Sequence, residues 1–468
     1  VKETSDVTGS RLPGFYKLGI DERHDILARL VHLTAEERYH LKREPLPLDL
    51  AEGMVENVIG IFGLPLGVAV NFRINDRDIL VPMAVEEPSV VAAASHYAKL
   101  VRCHGWLRAE ADEPVMIGQV QVVGMPDPEA ARRRVAESRE RLLQIANEQD
   151  PVLRQLGGGA RDIETRLVST ERGPMLVVHL LVDVRDAMGA NAVNTMAEAV
   201  ALFLEGLTGG RTVLRILSNL ADHRRARATL EISPRAFDAD GWKGEEVAER
   251  ILDAWALAES DPYRAATHNK GIMNGIDAVM VATGNDWRAI EAGAHAWAAR
   301  DGRYRPLSRW YLTPQSTLRG EIELPLAAGI VGGATKVHPV ARIALKLMAV
   351  RTARELAEVA AAVGLVQNLA ALRSLVTDGI QKGHMVLHAR NIALSAGAVG
   401  ELAHQVARQM VREGRIRFDR AKQLVAQMLR TAHHKVHDLE EGIRKQDEAT
   451  RTRTDGESPT TQGHESQK

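Results

Sequence analysis

The chain has 468 residues, 45% hydrophobic and 26% charged, with 60 Lys+Arg against 61 Asp+Glu. A net charge of -1 argues against a generic nucleic-acid binder and gives no support to a polybasic membrane-surface protein. The single cysteine, Cys103, excludes an internal disulfide framework and a zinc site built on several cysteines.

No apolar run reaches the roughly 18–20 residues of a membrane span, and Val1 to Arg11 lacks the apolar core of a signal peptide. A cytoplasmic protein with no nucleic-acid or membrane partner is expected. In chain order, Asp21–Leu33 and Ala35–Lys42 read as short helices, Pro45 and Pro47 interrupt, and Leu50–Ile59 reads as another helix. Leu66–Ile74 and Ile79–Ala84 read as strands around a turn at Asn75-Asp76. Pro88 opens a helical stretch, Ser89–Arg102.

A regular alternation follows. Met116–Gly124 is β-like, and Pro126–Glu148 is a charged amphipathic helix entered at Asp127. Gly157-Gly158-Gly159 is a loop, and strands Asp162–Ser169 and Met175–Val184 flank Gly173. Asn191–Leu207 is a helix ended by Gly209-Gly210, and Arg211–Ser218 is a strand. The order β-α-β-β-α-β is that of a ferredoxin-like domain.

Beyond it, Ala228–Ile232 is a strand and Gly244–Ser260 a helix, before a glycine-punctuated region from Thr267 to His295. Leu318–Leu326 is a strand and Gly329–Lys336 a glycine-rich turn. Pro339–Leu347, Ala353–Val363, Leu369–Thr377, His384–Ala396 and Arg420–Val436 read as helices. From Glu441 to Lys468 almost no apolar residue occurs, so that tail cannot offset its ordering entropy and reads as disordered. The expected class is α/β (α+β). Its parts are 1–113 and 220–378 as two halves of a large helix-rich domain, 114–219 as the inserted ferredoxin-like domain, 379–440 as a C-terminal helical domain, and 441–468 as the polar tail.

Six stretches carry residues suited to chemistry. Asp186-Ala-Met-Gly-Ala-Asn191 joins an apolar strand to a helix, where small residues let a phosphate approach the helix N-terminus, or simply make a tight turn and cap. No G-x-G-x-x-G follows a strand, so a standard Rossmann domain is not indicated. Glu86-Glu87-Pro88-Ser89 sets two carboxylates before a helix, which is either ordinary helix-start chemistry or a carboxylic acid poised to donate a proton. His268-Asn-Lys-Gly-Ile-Met-Asn274-Gly places a lysine between carboxamides and glycines, and Gly284-Asn285-Asp286-Trp287 offers a carboxylate in a turn. A lysine ammonium there can hold a developing oxyanion, and an aspartate beside it would keep it charged; a surface lysine and a turn aspartate remain the alternative. His384 and His388 lie four apart, as a metal pair, a general acid or plain surface residues. Gly332-Gly333-Ala334-Thr335-Lys336 lacks the P-loop spacing and reads as a tight turn.

Six of the chain's blocks occur in a telling order: Glu56-Asn-Val-Ile-Gly60, Glu86-Glu-Pro-Ser-Val-Val-Ala92, Asp186-Ala-Met-Gly-Ala-Asn191, His268-Asn-Lys-Gly-Ile-Met-Asn-Gly275, Thr283-Gly-Asn-Asp-Trp287 and Gly383-His-Met385. Together they resemble the 3-hydroxy-3-methylglutaryl-CoA reductases, in particular the soluble bacterial class II enzymes, from about Arg11 to Arg430. The resemblance implies reduction of hydroxymethylglutaryl-CoA by two hydrides to mevalonate and CoA, a reaction that many class II relatives also run in reverse. It implies a large CoA-binding domain, a nicotinamide-binding ferredoxin-like insert and a mobile C-terminal helical domain. It also implies a homodimer with the active site at the subunit interface, and further assembly into hexamers in class II members.

Roles carry over by motif. The resemblance makes Glu87 the proton donor, Lys270 the oxyanion stabiliser, Asp286 the support of Lys270, and His384 the acid that protonates the CoA thiolate, with no metal. Ser89, Arg264 and Asn274, with Lys270, match positions that hold the hydroxymethylglutaryl group. Asp186, Met188, Gly189, Ala190 and Asn191 match the dinucleotide-binding motif. Asp150 falls where NAD-preferring relatives place an acid against the adenosine ribose, so NAD is expected over NADP. Tyr16-Lys17 stands where relatives can place an arginine against CoA. Two rival readings remain: a CoA-thioester binding or lyase protein on the same scaffold without redox activity, and a helical scaffold whose histidine pair binds metal.

Overall fold

Asn75 and Asp76 both take positive φ, 50° and 62°. Two such residues in succession make the turn whose twist matches a β-hairpin, and they join β1 (Leu66–Ile74) to β2 (Arg77–Ala84). The computed structural model describes residues 9–239, 241–377, 379 and 389–430. They fall into two compact units divided between Thr377 and Asp378.

The first unit opens with three short helices, α1 (Ile20–Val31), α2 (Ala35–Lys42) and α3 (Leu48–Glu52). The helix expected over Leu50–Ile59 is only α3; residues 54–65 are irregular. After β2, α4 (Val90–His104) buries Val90, Ala94, Tyr97, Ala98 and Val101, the spacing of one helix face. It runs directly into β3 (Gly105–Ala111), a strand without a sequence signal.

Next come β4 (Val115–Val123), α5 (Pro128–Glu137), α6 (Arg139–Asn147), α7 (Pro151–Gln155), β5 (Gly159–Thr170), β6 (Gly173–Asp183), α8 (Ala190–Thr208) and β7 (Arg211–Ser218). The four strands form one antiparallel sheet in the order β5-β6-β4-β7, with their own apolar core. The single helix expected over Pro126–Glu148 is two, broken at Ser138.

The chain then returns through β8 (Arg225–Ile232), α9 (Gly244–Ser260), α10 (Pro262–Ala282), α11 (Trp287–Ala298), β9 (Ser308–Leu312), β10 (Leu318–Pro325), α12 (Gly333–Val337), α13 (Pro339–Met348) and α14 (Ala353–Val376). Strands β3-β8-β10-β9 make a second antiparallel sheet. On β8, Ala226, Ala228, Leu230 and Ile232 point inward, while Arg225, Arg227, Thr229 and Glu231 alternate outward, so one face is core and the other is charged. Arg227 bonds Asp112 (2.7 Å) and Glu323 (2.9 Å) on that outer face.

The glycine-punctuated region from Thr267 begins inside the continuous α10, and the two helices expected over Ala353–Val363 and Leu369–Thr377 are one, α14. The glycines inside them are contact points. A Cβ on Gly275 would stand 3.0 Å from Gln367 Cβ, and one on Gly364 would stand 2.8 Å from the Ile276 side chain. Missing side chains thus let α10 and α14 approach each other. Helix α14 is also long and apolar enough to cross a membrane by length and composition, contrary to the sequence reading. It is largely buried among the other elements, as a core helix is.

The second unit has its own small core, including Ala403, Val406, Ala407 and Met410 on the helix Glu401–Arg412. The motif histidine His384, with Gly383, Met385 and His388, lies outside the described residues, as does the polar tail.

Candidate active site

Asp261 caps α10, its carboxylate accepting the Arg264 N–H at 2.9 Å, and Pro262 occupies the first helical position. Two turns on, Lys270 leaves the helix and its Nζ donates to a Glu87 carboxylate oxygen at 2.6 Å. Asn274, one turn further, points its Nδ2 at the same oxygen, 3.4 Å away. Glu87 sits between β2 and α4 and is partly shielded, whereas Glu86 is exposed. The two neighbouring carboxylates are therefore not equivalent.

Ser89 follows at the start of α4 in a left-handed conformation (φ 79°), and its buried Oγ has no hydrogen-bond partner. Both facts mark a residue held against its backbone preference with a free polar atom. Arg264 is half-buried, and its guanidinium has no acceptor among the described residues; burial lowers its pKa. The structure thus unites Glu87, Lys270 and Asn274, with Ser89 two residues after Glu87 in the chain, and leaves Arg264 one and a half turns back on α10.

Asp286 does not join them. It caps α11, accepting the Ala289 N–H at 3.2 Å, and pairs with Arg288 at 3.4 Å. Lys270 lies twelve residues before the end of α10, which at about 1.5 Å per residue is about 18 Å of helix. The expected contact between Asp286 and Lys270 cannot form within one chain while α10 is continuous.

Buried polar groups surround this helix. His268 bonds Ser308 Oγ at 2.7 Å, and Asn368 reaches both Ser308 (2.8 Å) and Trp310 (2.8 Å). Burial first, then the Arg264 charge, push the His268 pKa down to about 3. Asn269 bonds the backbone of Arg305 (2.9 Å) and Leu307 (2.8 Å). Further along, Asp277 stands beside Glu291, which holds His295 at 2.5 Å, which holds Tyr304 at 2.7 Å. Burial, then the hydrogen bond and charge of Glu291, push Asp277 up to about 9.

The Asp186–Asn191 turn lies between β6 and α8. Gly189 has φ 98°, and a Cβ there would meet the Val184 side chain at 2.4 Å, so only glycine fits. The opening amides of α8, a helix of nineteen residues, have no acceptors inside the helix and carry the positive end of its dipole. That is a fitting cradle for a dinucleotide phosphate. Asp186 itself is engaged elsewhere, accepting the Ala353 N–H at 2.8 Å. Asp150 caps α7, one oxygen accepting the Leu153 N–H at 2.8 Å. The glycine triplet after α7 is held to the turn by Arg185, which donates to the Gly157 carbonyl.

A cleft of about 1630 Å³ lies elsewhere, and neither Glu87 nor Lys270 lines it. Arg11, Tyr16, Arg43, Phe62, Ser95 and Lys99 are among its walls. Tyr16 lines it and Lys17 does not. Its basic groups come from separate segments, so no local motif could have announced them.

Comparison with known proteins agrees with these motifs. The chain matches the family model for hydroxymethylglutaryl-coenzyme A reductase over residues 19–389. It is 54% identical over 419 residues to the 3-hydroxy-3-methylglutaryl-coenzyme A reductase of Archaeoglobus fulgidus, covering 90% of this chain and 95% of that one. It resembles a solved 3-hydroxy-3-methylglutaryl-coenzyme A reductase from Streptococcus pneumoniae, with TM-score 0.76, 40% identity and coverage of 89% and 99%. A class II reductase structure from the same organism, bound to NADPH in open conformations, aligns with TM-score 0.75 and 42% identity over 78% of this chain and 99% of that one.

Proposed function

The chain belongs to the class II 3-hydroxy-3-methylglutaryl-CoA reductases, and from that premise we propose how its residues divide the work. The activity converts hydroxymethylglutaryl-CoA to mevalonate with a nicotinamide cofactor, which leaves no room for the non-redox and metal-scaffold alternatives. The nicotinamide supplies a hydride in each of two reductions. Lys270 faces the carbonyl oxygen and stabilises the alkoxide that each hydride addition creates. Glu87 donates the proton that this oxygen takes up at the aldehyde stage. His384 protonates the departing CoA thiolate, whose ordinary pKa of about 8.5 suits a histidine acid. Ser89 Oγ, Asn274 and the Arg264 guanidinium hold the hydroxymethylglutaryl group, the arginine pairing with its free carboxylate. The observation that carries this reading is the 2.6 Å contact between Lys270 and Glu87, with an unpartnered buried Oγ on Ser89, two residues after Glu87.

Asp286 supports Lys270 of a second copy. Two features favour such a shared site: the length of α10 between the two residues, and the apolar surface of the segment after α3, where Ile59 and Phe62 stand 103% and 93% exposed. A surface of that kind marks a protein interface. The working form is therefore a homodimer, with hexamers as the further assembly. The basic and apolar cleft beside α4 is the place for CoA, its cations suiting phosphates and its apolar wall the pantetheine arm. The chain works in the cytoplasm.

The Asp186–Asn191 turn receives the dinucleotide, and NAD is preferred over NADP. The second Asp150 oxygen can accept ribose hydroxyls and repels a 2′-phosphate. The test is oxidation of NADH and, separately, NADPH with hydroxymethylglutaryl-CoA, beside a Lys270→Ala control. Faster NADH oxidation that the control abolishes supports both readings. Faster NADPH oxidation overturns the Asp150 reading and keeps the chemistry. Full activity in the control overturns the role of Lys270.

A further inference from the structure

The turn that we assign to the dinucleotide is braced from outside its own sheet. Arg224 is buried and donates Nη1 to the carbonyls of Ala187 (3.2 Å) and Met188 (3.3 Å), and Nη2 to that of Ala328. Burying a guanidinium without a direct carboxylate partner is costly, so its three carbonyl bonds are what retain it. Burial lowers its pKa to about 10, which leaves it charged at neutral pH. A fixed positive charge thus lies beneath the turn that opens α8.

The second brace is a run of backbone after β10. Ala187 and Val331 form a parallel bridge, and the Ile330 N–H donates to the Asp186 carbonyl at 2.9 Å. Gly329 lies so close that a Cβ there would stand 2.5 Å from the Met188 nitrogen. Gly329 is in turn fixed by Asn285, whose Oδ1 accepts its N–H at 2.7 Å, while Asn285 Nδ2 donates to Thr283 Oγ1 at 2.9 Å. Asn285 is the residue before Asp286. The dinucleotide turn and the turn that bears the catalytic carboxylate are therefore separated by one glycine and one carboxamide.

We propose that Arg224, Asn285 and Gly329 are positioning residues for the nicotinamide cofactor, holding the Asp186–Asn191 turn in register with the Asp286 turn. The proposal rests on the reading of Asp186–Asn191 as the dinucleotide turn. None of the three needs to touch the cofactor. A shift of the Met188 backbone re-aims the amides of Ala190 and Asn191, and displacements near an ångström cost binding sites much of their affinity. The single methyl of Gly329→Ala forces such a shift, and Asn285→Ala releases Gly329 without adding bulk.

The test uses full-length enzyme with three variants: Gly329→Ala, Asn285→Ala and, as a direct lesion of the turn, Gly189→Ala. NADH affinity is read by fluorescence titration without substrate, hydroxymethylglutaryl-CoA affinity by calorimetry, and backbone opening by hydrogen exchange. The expected result is an NADH Kd raised about tenfold in Gly329→Ala and Asn285→Ala. The hydroxymethylglutaryl-CoA Kd stays within about twofold, and exchange quickens at Ala187–Asn191 but not in α10. If Gly189→Ala weakens NADH and the other two do not, the positioning role is overturned and the dinucleotide turn stands. If Gly189→Ala also leaves NADH unaffected, the underlying reading falls with it. Equal loss of both ligands, or faster exchange throughout, assigns the two residues to general stability and overturns the proposal. Should Gly329→Ala fail to fold, Asn285→Ala decides alone.

Discussion

Lys270 Nζ and a Glu87 carboxylate oxygen stand 2.6 Å apart across 183 positions of sequence, while Asp286, only sixteen positions from Lys270, is held away from it by the rigid length of α10. Closeness in sequence is here the obstacle, because the residues between are helical. In the homodimer proposed above, a second copy supplies the missing carboxylate.

Mixing two inactive variants checks this. Lys270→Ala and Asp286→Ala should each lose most activity, about 10²–10³-fold for a group that stabilises developing charge. Subunits exchanged between them form hybrid dimers with one intact site, and about one quarter of wild-type activity should return. No recovery after verified exchange sinks the shared site.

The glycines of α10 should respond oppositely to one added methyl. Gly275→Ala places a Cβ 3.0 Å from Gln367 Cβ and 3.2 Å from the Val363 carbonyl, so thermal unfolding should show a loss of about 1–3 kcal/mol. Gly271→Ala meets only Ala371 Cβ at 3.7 Å, an ordinary contact, and should gain up to about 1 kcal/mol of helix propensity.

Asp277 predicts a stability that falls with rising pH. Its folded pKa, about 9, lies above its ordinary value of 3.8, so between the two the folded state holds a proton that the unfolded chain releases. The groups facing it are Glu291 and, through that carboxylate, His295. Asp277→Asn has no proton to hold. In denaturant titrations it should overtake wild type as pH rises from 4 to 8, by roughly 1–3 kcal/mol after solvent screening. A constant difference across that range counts against the assignment.

His268 acts in the other direction. Its folded pKa near 3 lies below the ordinary 6.5, so protonation of the unfolded chain draws the protein apart as pH falls through that window. Its stabilising effect is complete above pH 6.5 and fades towards pH 3. Relative to His268→Gln, wild type should lose up to about 1.4 kcal/mol per pH unit on acidification from 6.5 to 4.5, measured by denaturant unfolding.

Asp150 caps α7 and, in the function proposed above, also repels a 2′-phosphate; Asp150→Asn separates the two. Asparagine caps as well as aspartate, so the melting temperature should hold. The ratio of NADPH to NADH kcat/KM should rise about tenfold once the charge is gone. An unchanged ratio places cofactor choice elsewhere.

Patterns of period two and explicit turn residues were readable in the chain: Asn75-Asp76, Gly173 and Gly209-Gly210 each mark a turn in the structure. Glycines inside helices misled. Gly364 reads as a stop after Val363, yet it is where Ile276 crosses α14. Strands β3 and β9 were hidden because one starts at the glycine that ends α4, with no loop between, and the other has only five residues. Among site residues, Glu87, Lys270 and Asn274 were recognisable by motif and meet in space. Asn285 and Gly329 were legible only as members of turns and Arg224 not at all, since all three make their contacts with backbone groups far away in sequence.

The chain leaves the β3-β8-β10-β9 sheet at Ala111 and re-enters it at Arg225, and the two strands lie side by side, with Ala111 opposite Ala226 and the Asp112 N–H on the Arg225 carbonyl. Everything from β4 to β7 is therefore, topologically, the loop of one β-hairpin. An unstructured loop of that length would make pairing of β3 with β8 slow, because its ends must find each other by chance. A loop that first folds into a sheet with its own core brings those ends together, and the distant pairing becomes a local one. Refolding should then proceed from the middle of the chain outward, with protection of β4 and β6 preceding that of β3 and β8.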